Sequence, residues 1–397
     1  MLDHFNLILD QIFIPIFLGF LICFLILNLI DKSSKKKISF INIEAKKSPT
    51  NAKLLGGLGV SCSLIVSMAY LTITALSPSE LKVIKSSIIP IILVTLYGFI
   101  DDKYEIRARQ KLFFQILAVG ILSLSSFNPL KDISTFLYFS ISMSVGLALL
   151  NGTNLIDGLD TSLIKIGAIT SCGFIYLGLH FASDITILIS LTTIFSLFAF
   201  YFFNKVPAKI YAGEIGGAIL GLTFFIQGQI IFLTSQSIYE KMTPLSSLSL
   251  ICIAAIYPLA ELGITFARRL YFKSATFCGD HLHLHHNLKS CFNLSTNQTT
   301  TFLLFINITL VFIGFILSNF VSPFIALATS CSLFMTFYIY ISYPFWNKKR
   351  TQEQNELFFI NLKDSPIYIL NSDEIEHLYS LYLQKPNEST YEHHEAA

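Results

Sequence analysis

Residues 84–111 read IKSSIIPIILVTLYGFIDDKYEIRARQK. The segment opens on an apolar run, 84–100, and then changes character abruptly: adjacent carboxylates at Asp101 and Asp102 are followed by Lys103, Arg107, Arg109 and Lys111. A helix needs about 20 apolar residues to cross a hydrocarbon core, and a charged edge of this kind marks an interface between lipid and water. Outward from this segment the pattern recurs. Comparable runs lie near 7–30, 54–76, 111–127, 134–151, 162–180, 184–203, 214–234, 247–267, 301–319 and 322–343. The runs are long and uninterrupted instead of alternating, so β structure is not indicated. The expectation is an all-α polytopic membrane protein with about eleven transmembrane helices over residues 1–346 and a polar tail over 347–397.

Composition supports this reading. Of 397 residues, 53% are hydrophobic and 13% charged, and the mean hydropathy is +0.64, a balance unlike that of a water-soluble domain. A net charge of +2 is too small to attract nucleic acid. The seven cysteines lie mostly inside apolar runs without zinc or disulfide spacing, and read as small packing residues. The run at 7–30 is too long for a signal-peptide core and ends in a lysine cluster, so it is expected to remain as the first membrane helix.

The location of charge sets the orientation. Of the 27 lysines and arginines, about 23 fall in one set of alternate loops and the tail, about 4 in the other. The positive-inside rule then places the amino terminus in the periplasm and the carboxyl terminus in the cytoplasm, with Trp346 at the last interface crossing. On that topology every unusual polar cluster falls on the cytoplasmic side.

Four clusters stand out. Asp101-Asp102 suits a divalent cation, or a base acting on a phosphate nucleophile, and equally a solvated helix end. Asn151-Gly-Thr-Asn154-Leu-Ile-Asp157-Gly-Leu-Asp160 spaces Asn151, Asn154 and Asp157 by three, along one helix face, and carboxamides at that depth need partners. Pro207-Ala-Lys209-Ile-Tyr211-Ala-Gly213-Glu214-Ile-Gly216-Gly217 offers glycines at a helix start, where anions bind, although Gly216 and Gly217 equally suit close helix packing. Asp280-His281-Leu-His283-Leu-His285-His286, preceded by Arg268, Arg269 and Lys273, suits phosphate and lacks a familiar zinc spacing. Glu261 either pairs with Arg268 or Arg269 or faces the same cavity.

Taken in order, these clusters resemble the polyprenyl-phosphate N-acetylhexosamine-1-phosphate transferases, the undecaprenyl-phosphate GlcNAc-1-phosphate transferase-like enzymes of glycosyltransferase family 4 type. The resemblance covers about residues 47–290 and includes Lys47-Ser-Pro49-Thr50 with Leu55-Gly56-Gly57 as the family's first cytoplasmic loop and second helix start. It implies a Mg²⁺-dependent transfer, with Mn²⁺ as the substitute, in the bacterial inner membrane: polyprenyl phosphate attacks the sugar-bearing phosphorus of a UDP-N-acetylhexosamine and UMP leaves. By motif position Glu214 and Asn154 would hold the metal, and Asp101 and Asp102 would prepare the lipid phosphate or support the metal. Asp157 would organise the site. Asn151, Lys209, Arg268 and Arg269 would join substrate binding, Asp160 and Tyr211 would meet the uridine, and His283, His285 and His286 the diphosphate. Membrane lipid and a second copy of the chain, as a homodimer, complete the expected partners. The chain departs from the family in Glu214 and Glu261, where Asp is usual, and in Gly217, where Ser is usual. The stretch at 283–288 resembles the N-acetylglucosamine-type branch. Two alternatives stay open: an ion or solute transporter, which would need polar groups near the midplane and access from both sides, and an inactive family relative.

Overall fold

The computed structural model describes the backbone of residues 2–33, 52–74, 78–104, 106–127, 130–238, 242–271 and 282–363, with side chains over 13–32, 52–73, 80–104, 106–127, 130–237, 242–271 and 282–346. Lys47 to Thr50, Lys273, Asp280 and His281 lie outside the described residues. In order the elements are α1 (Leu2–Ser33), α2 (Gly56–Thr74), α3 (Pro78–Tyr104), α4 (Ala108–Ser126), α5 (Ile133–Ile156), α6 (Ser162–His180), α7 (Asp184–Asn204), α8 (Gly213–Ile238), α9 (Pro244–Ala254), α10 (Ile256–Tyr271), α11 (Leu284–Cys291), α12 (Thr296–Ser318) and α13 (Pro323–Lys363). The chain divides into two compact units, Met1–Ile341 and Ser342–Ala397, and the polar clusters belong to the first.

Among the described residues nine helices (α1, α2, α3, α5, α6, α7, α8, α12 and α13) are long and apolar enough to cross a bilayer, and α9 with α10 forms a further candidate bent by 90°. This differs from the sequence reading in two places. The run at 247–267 is two helices broken at Ala255, and the run at 111–127 is α4, which carries Arg109, Gln110, Lys111 and Gln115 and is too polar to qualify. The polarity has a local reason. Gln115 bonds Asn151 on α5, its Nε2 and Asn151 Nδ2 donating at 3.3 and 3.0 Å, and Ser123 meets Ser142 at 3.1 Å. These contacts run α4 antiparallel beside α5, from the polar end of the bundle toward the other.

Several hydroxyls inside the bundle are satisfied within their own helices. Thr193 donates to Ile189 O at 2.7 Å, Ser196 to Thr192 O at 2.8 Å and Thr223 to Ile219 O at 2.7 Å, which removes the penalty of a bare polar group in an apolar setting. Helix α8 is buried along its span, and small residues let its neighbours approach. A Cβ on Gly57 would run into the Gly216 backbone, and one on Gly221 into Leu149, the packing role expected of small residues between membrane helices.

One end of the bundle gathers the loops. The segment entering α2 lies along the segment entering α8: Tyr211 N donates to Lys53 O at 2.7 Å, Gly56 N to Tyr211 O and Gly57 N to Ala212 O, both at 2.8 Å. Lys53 and Ile210 form an isolated parallel bridge. The buried Lys53 ammonium donates to Ile30 O at 2.6 Å, tying the end of α1 to the same place.

Candidate active site

The end of α3 and the start of α8 build the centre. Gly213 has φ +69°, and a Cβ there would lie 2.6 Å from Asp102 Oδ2, so glycine permits both the left-handed turn and the approach of the carboxylate. The turn aims the Glu214 N–H at Asp102 Oδ1, at 2.8 Å. Asp102 Oδ2 is buried and has no hydrogen-bond partner among the described residues. Asp101 accepts from Ile106 N at 2.8 Å, which folds the chain back toward α4.

Helix α4 contributes a cation. Lys111 Nζ lies 3.0 Å from Asp101 Oδ2 and 2.7 Å from Glu214 Oε2, while Asn154 Nδ2, from α5, donates to the same Glu214 oxygen. Three motifs far apart in sequence therefore touch. In the sequence, Lys111 stands out only as one of the basic residues that follow Asp101-Asp102, and Gln115 is not singled out; their spacing of four, on one helix face of an otherwise apolar run, is the available signal.

The second motif turns at the end of α5. Asp157, just beyond the candidate span, retains some solvent contact, yet burial, followed by the charges of Asp102, Glu214 and Asp160, holds its carboxyl well above the ordinary carboxylate range. Gly158 lies against the His285 imidazole, leaving no room for a Cβ, and this contact brings the fourth motif to the second. The rings of His283 and His285 stack at 5.7 Å, and those of His285 and His286 lie 4.2 Å apart.

Asp160 accepts from Ala208 N at 3.0 Å, so the second motif also meets the loop carrying Lys209 and Tyr211. Asn204 clamps the two loops: its Oδ1 accepts from Thr161 N at 2.7 Å and its Nδ2 donates to Ile210 O at 2.9 Å. The sequence reading misses Asn204 because it closes an apolar run. Lys209 is exposed and Tyr211 partly so, whereas Arg268 and Arg269 are buried on α10.

The donors are oxygens, the set that a hard divalent cation takes. No group of three His, Cys, Asp or Glu side chains among the described residues forms a ready-made cage. Mg²⁺ does not require one, since it is commonly held by one or two carboxylates together with substrate phosphates. The unpartnered Asp102 Oδ2 and the Glu214 carboxylate are the groups placed to contribute.

Comparison with known proteins identifies the family. Residues 84–233 match the model of glycosyl transferase family 4. A relative from Saccharolobus solfataricus, provisionally named a UDP-N-acetylglucosamine–dolichyl-phosphate N-acetylglucosaminephosphotransferase, is 30% identical over 227 residues, 53% of this chain and 69% of the relative. One from Bacillus subtilis, provisionally named an undecaprenyl-phosphate N-acetylglucosaminyl 1-phosphate transferase, is 26% identical over 331 residues, 78% of this chain and 85% of the relative. A phospho-N-acetylmuramoyl-pentapeptide-transferase from Dictyoglomus turgidum is 30% identical over 216 residues, 50% of this chain and 66% of the relative. The chain belongs to the polyprenyl-phosphate N-acetylhexosamine-1-phosphate transferase family, glycosyl transferase family 4. It is a multi-pass membrane phosphotransferase by that membership.

Proposed function

We propose that the chain transfers an N-acetylhexosamine 1-phosphate from a UDP-sugar to polyprenyl phosphate, releasing UMP and starting a lipid-linked envelope glycan. The observation that carries the reading is the convergence of Asp102, Asn154 and Lys111 on Glu214, with Asp101 joined through Lys111. Mg²⁺, when bound, supplies positive charge to phosphate oxygens that gain charge during transfer.

The chain's own groups divide the remaining work. Glu214, with Asn154 at its carboxylate, and Asp102 would hold the cation, and Asp101 would help orient the acceptor phosphate. Lys111 sits between two carboxylates and is placed to meet phosphate charge. His283, His285 and His286 with Arg268 and Arg269 receive the donor diphosphate, while Asp160, Lys209 and Tyr211 meet the uridine. The acceptor oxygen forms a bond to the sugar-bearing phosphorus as the bond to UMP breaks. The asymmetry of basic residues supports a cytoplasmic site in a bacterial inner membrane, with the amino terminus periplasmic.

Purified protein in detergent, given polyprenyl phosphate, Mg²⁺ and a panel of UDP-sugars, is expected to release UMP with at least one UDP-N-acetylhexosamine and to stop when chelator is added. Mn²⁺ is expected to restore release. Failure with every sugar, or release that ignores chelator, contradicts the proposal.

A further inference from the structure

Glu261, on α10, is 1% exposed. Its Oε1 accepts from Tyr338 OH at 3.0 Å and from Leu284 N at 3.4 Å, and lies 3.2 Å from His283 Nδ1. Its Oε2 has no hydrogen-bond partner among the described residues. A buried carboxylate with one unsatisfied oxygen is a poor way to gain stability, since an apolar residue of similar size usually serves as well or better. The arrangement has a different use.

His283 is the N-cap of α11 and makes no side-chain capping bond of its own. Glu261 supplies an acceptor at that terminus from another helix, and a carboxylate is favoured there. A carboxylate can only accept, so the His283 ring presents its Nδ1–H to Glu261 and turns Nε2 away. The next ring in the motif, His285, is the one lying against Gly158. Tyr338, on α13, donates to the same oxygen, and the Arg268 charge bears on Tyr338.

We propose that Glu261 and Tyr338 are positioning residues that hold His283, and through it the 283–286 motif, against the Asp157–Asp160 loop. The catalytic part of this statement rests on the proposed diphosphate role of the histidines. Both residues lie outside the stretch matched to the family model.

The test uses the full chain in detergent with Tyr338→Phe and Glu261→Gln. Tyr338→Phe is expected to lower kcat/KM by about tenfold, the loss of one hydrogen bond to a charged acceptor, in protein that stays folded. In a His283→Ala background the same change is expected to add less than about a twofold loss, because the pair acts through that ring. Equal losses in both backgrounds overturn the proposal. A second measurement does not need turnover: diethyl pyrocarbonate modification, mapped by mass spectrometry, is expected to rise several-fold at His283 in both variants while the exposed His180 is unchanged. Unchanged His283 reactivity overturns the positioning role; raised reactivity in a protein inactive toward every UDP-sugar would leave positioning intact and fault the function instead.

Discussion

Asp102→Asn is expected to lower turnover by a factor of about 10² to 10³, the scale of losing one preorganised electrostatic group, without loss of folded protein. Asparagine keeps an oxygen to accept from Glu214 N, now at 2.8 Å, and replaces an Oδ2 that has no partner among the described residues. It also removes one of the negative charges that bear on Asp157. The melting temperature in chelator should therefore stay level or rise while UMP release collapses, a stability gain at the expense of activity. A variant that turns over normally would remove Asp102 from the site.

Glu214→Asp restores the residue usual in the family, yet it is expected to lower activity here by about 10²-fold, as displacements of about 1 Å do. The longer side chain reaches Lys111 Nζ at 2.7 Å and Asn154 Nδ2 with the same oxygen. Removing a methylene withdraws that oxygen by about one carbon–carbon bond, roughly 1.5 Å, and breaks both contacts. Steady-state UMP release decides it: a faster enzyme would mean that glutamate is a handicap the site tolerates.

Much of this is legible in the sequence because lipid imposes a strong constraint. Each apolar run corresponds to described helix, and the four polar clusters read from the chain lie at linked positions through Glu214, Gly158 and Asp160. Three features are hidden for physical reasons. The break at Ala255 lies within a continuous apolar stretch, so hydropathy gives no sign of a 90° bend. Lys111 and Gln115 are masked because a charge near the start of an apolar run looks like its flank, and only the fold turns them toward Glu214 and Asn151. The partnership of Glu261 with Tyr338 spans 77 positions, and no local pattern encodes it; sequence alone leaves Glu261 open between an arginine pair and the cavity.

If these loops form one divalent-cation site, the purified chain should bind Mn²⁺ without substrate, which electron paramagnetic resonance reads. Burial holds the Asp157 carboxyl above its ordinary value of 3.8, so the cation-free fold favours the protonated form and loses stability as pH rises from that value through the raised one. A cation favours the ionised form, so binding should release protons and tighten with rising pH. One Mn²⁺ per chain is expected, displaced by Mg²⁺ and weakened in Asp102→Asn and Glu214→Ala; Mn²⁺ binding that both variants leave unchanged would contradict a shared site.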